Sequence, residues 1–486
     1  MLIRLPTLAE PPWSSDDGFF TAIAVAMSKG VTLYKGVYDD QPPMIFWLYR
    51  VLVALGSPDH HFVVQLAACA AVVASALLTY TIARRAGAPE VALWAGALAG
   101  VALSIPTLDG DLMNVELAAL PFFLGALALS FSRRPVPLLA AGVLLGLALA
   151  TRPSFLVDSL AVAVPLLSGS DRRRRMVTVA AGGAVTFLVV VGALWLMGSL
   201  AAYVNVVMPS DHAYLAWANG GTLVPLYLRL VLLGLGGVAV AWRTRSLPGR
   251  LAAVWFFASF AGSSLTPREL THYSHEFIPA LAFAMALVAS RVRWRAIGIA
   301  ASAAAVIVGA ELVLFLPAAE TARFTGASPP LMLHGISYAQ LPDYYANWGA
   351  YAVGMRDWKA YANWFPGDTS IDAAEADQLR SITGRAPARM IVLGDRPWLF
   401  VFSGALPASL FIATNSAFWQ VAGSADHMDA RLRAGCADVV VYQSGPGDWT
   451  AALAAGGYQR VSGTSWPTYR RSVVGGAGIE PATSCV

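Results

Sequence analysis

Ten apolar runs set the terms for this chain: 61–83, 90–107, 115–132, 136–151, 153–168, 176–200, 223–242, 250–266, 276–291 and 296–317. About 20 apolar residues cross a bilayer as a helix, because the helix pairs its own backbone groups where water cannot. The runs predict a polytopic α-helical membrane protein with about ten spans. Two of them, 136–151 and 153–168, are short and meet at Arg152-Pro153. Proline breaks a helix interior, so these two read as separate spans or as one kinked, re-entrant element. The charge content agrees with a membrane protein. Only 13% of the 486 residues are charged and 57% are hydrophobic, whereas soluble domains carry about 25% charged residues.

Net charge is +4, but the basic residues sit between apolar runs and form no single patch. That excludes a nucleic-acid surface and gives an orientation instead. Arg84-Arg85, Arg133-Arg134, Arg172 to Arg175, Arg243/Arg245/Arg250 and Arg291/Arg293/Arg295 fall in alternate connections. The connections between them are acidic or neutral. The Arg-rich side is predicted to be cytoplasmic, which places the segment before 61 and the segment after 318 outside. The expected location is a bacterial cytoplasmic (inner) membrane. Cys69, Cys436 and Cys485 lack CxxC spacing and histidine partners, so no disulfide framework and no zinc site is read.

From 318 the chain gains Asp, Asn, Pro and Gly and loses long apolar runs. "ARMIVLGDRPWLFVFSG" (388–404) reads as a short strand, a turn and an apolar element. "CADVVVYQS" (436–444) reads as a second strand, and 457–474 as a terminal hairpin. The expected organisation is a first extracytoplasmic loop with two interfacial helices (1–60), a transmembrane domain (61–317) and a small extracytoplasmic α/β domain (318–474). An unstructured tail (475–486) follows. The aromatic stretch 344–365 is expected near the membrane interface.

The polar features that stand out lie on the predicted outer side. "SSDDGFF" (14–20) and "YDDQPPMIFW" (38–47) each carry an adjacent acidic pair, Asp16-Asp17 and Asp39-Asp40, at the start of a short amphipathic segment. The plain reading is capping, since acids are favoured at helix N-termini. Against it stands clustering, because Asp109, Asp111 and Glu116 fall on the same side. Like charges gathered at one interface are costly unless a metal, a proton or a cationic substrate uses them. Asp158, Arg229 and Glu311 lie in or near spans without a nameable partner. Asp211-His212, ahead of Tyr214 and Trp217, fits a sugar-binding loop or a plain interfacial anchor equally.

The first loop resembles that of GT-C glycosyltransferases that use polyprenyl-phosphate sugars, the class of protein O-mannosyltransferases and lipid A aminoarabinose transferases. Asp16-Asp17-Gly18-Phe19-Phe20 matches the acidic pair with its glycine and aromatics, with Asp17 where Glu is usual. Asp39-Asp40-Gln41-Pro42-Pro43 followed by Phe46-Trp47 matches the second element, with Gln41 where Lys is frequent. "NVELAALPFF" (114–123), "ATRPSFL" (150–156) and "PRELTHYSHEFIPALA" (267–282) are similar to later elements of the family, in the expected order.

The resemblance implies transfer of a sugar from a polyprenyl-phosphate donor to an extracytoplasmic hydroxyl of a protein, lipid or polysaccharide, with inversion, in a mannosyltransferase-like reaction. It implies Asp16 and Asp17 as catalytic residues, with Asp16 the base. Asp39, Asp40 and Glu116 would bind acceptor or a cation, and Arg268, His272 and Arg152 the donor phosphate. Arg152 as a snorkelling or capping residue, Glu116 as a helix-start acid, and Arg268 and His272 as loop residues are the plain alternatives. The resemblance names no certain cofactor; a divalent cation, if used, would sit on Asp17 and Asp40. The expected partners are the lipid donor, the hydroxyl acceptor and membrane lipids, with no nucleic acid. A transporter or flippase of lipid-linked sugar, with the acids as cation or proton sites, is the competing reading. Relatives in this class have one span before the acidic pair, so a preceding span is expected upstream of "MLIRLPTLAEPPW" (1–13).

Overall fold

A computed structural model describes residues 2–57, 61–168, 171–267, 270–291, 295–325, 335–366, 369–384, 387–415, 418–443, 447–472 and 485. Each of the ten apolar runs contains a helix. They are α3 (Phe62–Arg85), α4 (Pro89–Ala102), α5 (Val115–Leu129), α6 (Pro135–Thr151), α7 (Phe155–Leu167) and α8 (Arg172–Leu196), then Val224–Arg243, Leu247–Ser263, Ile278–Ala289 and Arg295–Thr325. Four are long and apolar enough to cross a membrane: α3, α8, Val224–Arg243 and the Ala300–Arg323 part of the last. Large apolar side chains such as Phe187, Leu188, Leu235 and Trp242 are exposed on these helices. A soluble protein would bury so continuous an apolar surface, and this is a multi-pass membrane protein.

Close packing between α6 and α8 depends on two glycines. A Cβ on Gly142 would strike the Val179 carbonyl, and one on Gly182 the Leu139 carbonyl. Small residues let membrane helices approach to backbone contact. The break at Arg152-Pro153 is real. Arg152 leaves α6 in an extended conformation (φ −147°, ψ 111°), and α7 begins three residues later.

The two predicted short helices are α1 (Ser15–Ser28) and α2 (Pro43–Leu55), packed on each other. Pro43 opens α2 at a position where the missing N–H costs nothing. The small domain carries five strands, β1 (Arg389–Leu393), β2 (Leu406–Pro407), β3 (Val439–Tyr442), β4 (Tyr458–Val461) and β5 (Thr468–Arg471), in the order β2-β1-β3-β5-β4. β1 runs parallel to β2 and β3, and pairs Met390 with Val439 through Leu393 with Tyr442. β5 is antiparallel to both β3 and β4. The 388–404 strand-turn-apolar reading, the 436–444 strand and the terminal hairpin all match these elements.

The small domain docks on the first loop. Gly18 faces Pro397 and Trp398, where a Cβ would lie 2.8 Å from both side chains. The Trp398 indole donates to the Ser14 carbonyl (2.7 Å), Lys29 to the Gly404 carbonyl (2.7 Å), and the Tyr38 N–H to the Leu410 carbonyl (2.6 Å). Buried Tyr344, in the helix Leu341–Ala352 of the aromatic stretch, bonds the Glu10 carboxylate through its hydroxyl.

One expectation is overturned. Cys436 and Cys485 form a disulfide with Cα atoms 5.4 Å apart, while Cys69 is free and buried. Their 49-residue separation carries no sequence signature. Of the 475–486 tail only Cys485 is among the described residues.

Candidate active site

The first loop, the loop after α4, the α6–α7 break and the small domain enclose a cavity of about 540 Å³. Asp16 enters it from the first turn of α1, and Asp39, Asp40 and Gln41 from the turn before α2. Glu116 enters from the first turn of α5, which Asn114 caps by accepting from the Leu117 N–H at 2.9 Å. Arg152, Asp109, His272 and Tyr273 complete the polar wall. Aromatic rings of Trp13, Phe19, Phe20, Tyr38, Tyr214, Phe411 and Phe418 supply much of the rest, a lining suited to a sugar ring.

Asp16 and Asp17 part company although they are neighbours. Successive helical residues point about 100° apart. The Asp16 side chain is 47% exposed, and its Oδ2 lies 3.8 Å from His272 Nε2. That exposure is to the cavity, which protein surrounds. Burial therefore dominates its carboxyl, offset in part by His272 and reinforced by Glu116, Asp17 and Asp109, and pushes it up to about 6. Asp17 is 1% exposed and lines no part of the cavity. The Tyr49 hydroxyl bonds it, and His61 Nε2 lies 3.4 Å away. Burial pushes Asp17 to about 6 as well, against the Tyr49 bond. Asp17 fastens α1 to α2 and to the start of α3. Asp17 and Asp40, the residues named for a cation if one is used, differ in place: Asp40 lines the cavity and Asp17 does not. Among the described residues no group of three or more His, Cys, Asp or Glu side chains is gathered to hold a metal.

The second pair stays together at the cavity wall. Asp39 accepts from the Gln41 N–H (2.9 Å), and Asp40 from the Gln41 side-chain amide (3.2 Å). Burial, and then Asp40, push Asp39 well above the usual carboxylate range. Asp40 is raised mainly by burial. Two such neighbours hold one proton between them more readily than two charges.

His272 Nδ1 lies 3.1 Å from Asp109 Oδ2, which also accepts from the Thr271 hydroxyl (2.7 Å) and the His272 N–H (3.1 Å). Burial alone would lower this imidazole. Glu116, Asp109 and Asp16 outweigh it and push His272 up to about 9, so it is a cation at neutral pH. Asp109 moves the other way: His272 and Thr271 overcome burial and hold it below its ordinary value. Three residues on, burial lowers His275 to about 4, and its Nε2 lies 2.7 Å from the Leu108 carbonyl. One histidine is charged and faces the cavity; the other is neutral and structural.

Arg152 is doubly engaged. Its guanidinium lies 2.6 Å from Glu116 Oε1 and 3.3 Å from Glu276 Oε2, and 4.8 Å from the Tyr273 ring centroid. Arg268, the other phosphate candidate, lies outside the described residues. Asp111 is fully buried near Glu10 and Arg4 rather than in the cavity. The charged residues in or near spans acquire partners: Arg229 donates to Glu320, Asn219 and the Ser264 carbonyl, and Tyr338 donates to Glu311 (2.9 Å). Near His212, Ser210 bonds the Tyr38 hydroxyl (2.6 Å).

Sequence reasoning missed Asp395, Asn415 and Phe418, which the small domain adds to the lining. Burial and then Asp16 push Asp395 to about 6. Its one signal is position: it follows the carboxyl end of a parallel strand, where α/β sheets place ligand-facing groups.

In this architecture an acid-bearing first loop precedes a helical bundle, and a small domain packs against that loop. Residues 40–197 match the family model described as dolichyl-phosphate-mannose-protein mannosyltransferase. That segment includes Asp40, Glu116 and Arg152 but not the first acidic pair. The chain is similar in fold to ArnT from Cupriavidus metallidurans in the apo state, at 15% identity and TM-score 0.58. It is also similar to the same protein bound to undecaprenyl phosphate, at 15% identity and TM-score 0.56. In each case 96% of this chain and 95% of that one are covered. The archaeal oligosaccharyltransferase AglB from Archaeoglobus fulgidus is a looser likeness, at 14% identity and TM-score 0.47, covering 89% of this chain and 66% of that one. Among curated proteins none matches. The family match and the shared fold bear out the resemblance to polyprenyl-phosphate-sugar-dependent glycosyltransferases.

Proposed function

We propose that the protein transfers a sugar, of mannosyl or related type, from a polyprenyl-phosphate donor to a hydroxyl acceptor outside a bacterial cytoplasmic membrane. The observation that carries this reading is the line Asp16–His272–Asp109 across one cavity, a carboxylate facing a cation that a second carboxylate holds.

At neutral pH Asp16 is ionised and accepts the acceptor's hydroxyl proton as its oxygen attacks the anomeric carbon. The bond from that carbon to the phosphate oxygen breaks on the opposite face, which inverts the centre. Lipid phosphate is already a good leaving group and requires charge rather than a proton. His272 supplies that charge, with Arg268 as a second cation. Nearby carboxylates stabilise the oxocarbenium character of the transition state. Arg152 acts through Glu116, and Asp39, Asp40 and Asp395 orient the acceptor. The isoprenoid lies between helices beside α1 and α2. The disulfide supports an oxidising, extracytoplasmic side for the small domain. The family match is to transferases and weighs against the transport reading.

Membranes supplied with labelled polyprenyl-phosphate sugars test the proposal. Product should form with the wild type and vanish with Asp16→Asn at normal protein levels. Full activity of Asp16→Asn would overturn the mechanism. Gradient-driven movement of lipid sugar in vesicles without product would overturn the reaction.

A further inference from the structure

Behind the cavity wall lies a third pair of acids, which the reaction does not use. Glu276 Oε2 accepts from the Ser154 hydroxyl (2.6 Å) and Arg152 Nε (3.3 Å). Asp158, on α7, accepts from the Ser259 hydroxyl through Oδ1. The other oxygen of each, Glu276 Oε1 and Asp158 Oδ2, has no hydrogen-bond donor among the described residues, and both side chains are fully buried. These two oxygens converge over Gly262. A Cβ there would lie 2.7 Å from Asp158 Oδ2 and closer still to Glu276 Oε1. Glycine is the residue that leaves them room.

Two buried carboxylates cannot face each other with only acceptors between them. Their repulsion and their orphaned lone pairs both oppose it. Arg152 does not solve the problem, because its guanidinium already serves Glu116 and the far oxygen of Glu276. One proton solves it, turning two opposed acceptors into an O–H···O bond.

We propose that Asp158 and Glu276 share a single proton and act as a positioning unit, fixing Glu276 on Arg152 so that Arg152 holds Glu116 at the cavity wall. The unit then carries one negative charge rather than two, and the chain Asp158–Glu276–Arg152–Glu116 transmits the geometry of α7 to the site. None of Asp158, Glu276 and Ser259 needs to touch substrate. The activity arm of the test rests on the proposed transferase reaction; the spectroscopic arm does not.

The first measurement is infrared difference spectroscopy of the full chain in lipid nanodiscs at neutral pH, wild type minus Asp158→Asn. The carbonyl stretch of a protonated carboxyl should be present in the wild type and lost in the variant. The second is transfer activity. In Asp158→Asn the amide N–H donates to Glu276 where the acid proton did, so activity should stay within about threefold. Asp158→Ala and the wedge Gly262→Ala should each fall by roughly 10²-fold, the size of effect that an ångström of misplacement produces. A difference spectrum without the protonated-carboxyl band overturns the proposal. So does an Asp158→Asn protein that accumulates normally yet loses as much activity as Asp158→Ala. Should the wild type transfer no sugar, the infrared result still decides whether the proton is shared.

Discussion

Asp16-Asp17 and Asp39-Asp40 look alike in sequence and end differently. The first pair sits on a helix, so its members diverge: Asp16 faces the cavity while Asp17 turns inward to Tyr49 and His61. The second pair sits in a turn, where backbone and side chain of Gln41 hold both acids at the same wall. Helical geometry separates neighbours, and turn geometry can keep them together. One pair thus yields a cavity-facing acid and a fastener, and the other two acids held side by side.

The largest expected effect breaks the first pair's symmetry. Asp16→Asn should lower kcat about 10²- to 10⁴-fold, the worth of a positioned base, with accumulation unchanged. Asp17→Ala should do the opposite. Removing the buried acceptor of the Tyr49 hydroxyl should cost about 1–3 kcal/mol of stability, read as a lower thermal midpoint, while the folded fraction keeps most of its kcat. Equal loss of kcat in both variants would erase the distinction.

Asp109→Asn tests the opposing wall. Removing the carboxylate that holds His272 should move the alkaline limb of the pH–rate profile down from about 9. An unmoved limb would show that His272 does not set it. For the second pair, single Asp39→Asn or Asp40→Asn changes should cost less than about tenfold in activity, since burial and proximity already disfavour ionising both carboxyls. The double change should cost more than the product of the two singles.

The smallest effect is on stability against pH. Folded Asp16 keeps its proton up to about pH 6, whereas an ordinary aspartate loses it near 3.8. The folded state therefore binds more protons in that window and loses stability as pH rises through it. Asp16→Asn should raise the thermal midpoint above pH 6, and the gain should shrink to nothing as pH falls below 3.8. A gain that persists at low pH would point to packing rather than charge.

Much of this molecule could be read along the chain. Each of the ten apolar runs carried a helix, because length and hydropathy are local properties, and Arg152-Pro153 marked a true break. "VVVY" announced β3, and Pro42-Pro43 announced the start of α2. The site was readable in part: Asp16, Glu116, Arg152 and His272 do converge on one cavity. Glu276 lay unremarked four residues beyond His272, because only its contact with Arg152, 124 residues away, distinguishes it from a helix-start acid. Asp395 was hidden because its place in the cavity depends on where the small domain docks, and the Cys436–Cys485 bond because it depends on how that domain brings its own C-terminus back to the sheet.

The sequence by itself determined a membrane protein of many short helices, an acid-bearing first loop and a small sheet domain, since each rests on neighbours within a few turns. Only the tertiary structure decided which acid of the first pair reaches the cavity, which histidine faces the carboxylates there, and that Arg152 is tied to two carboxylates. Those outcomes depend on burial and on partners 32 to 163 residues away, and burial fixes the cost of a charge.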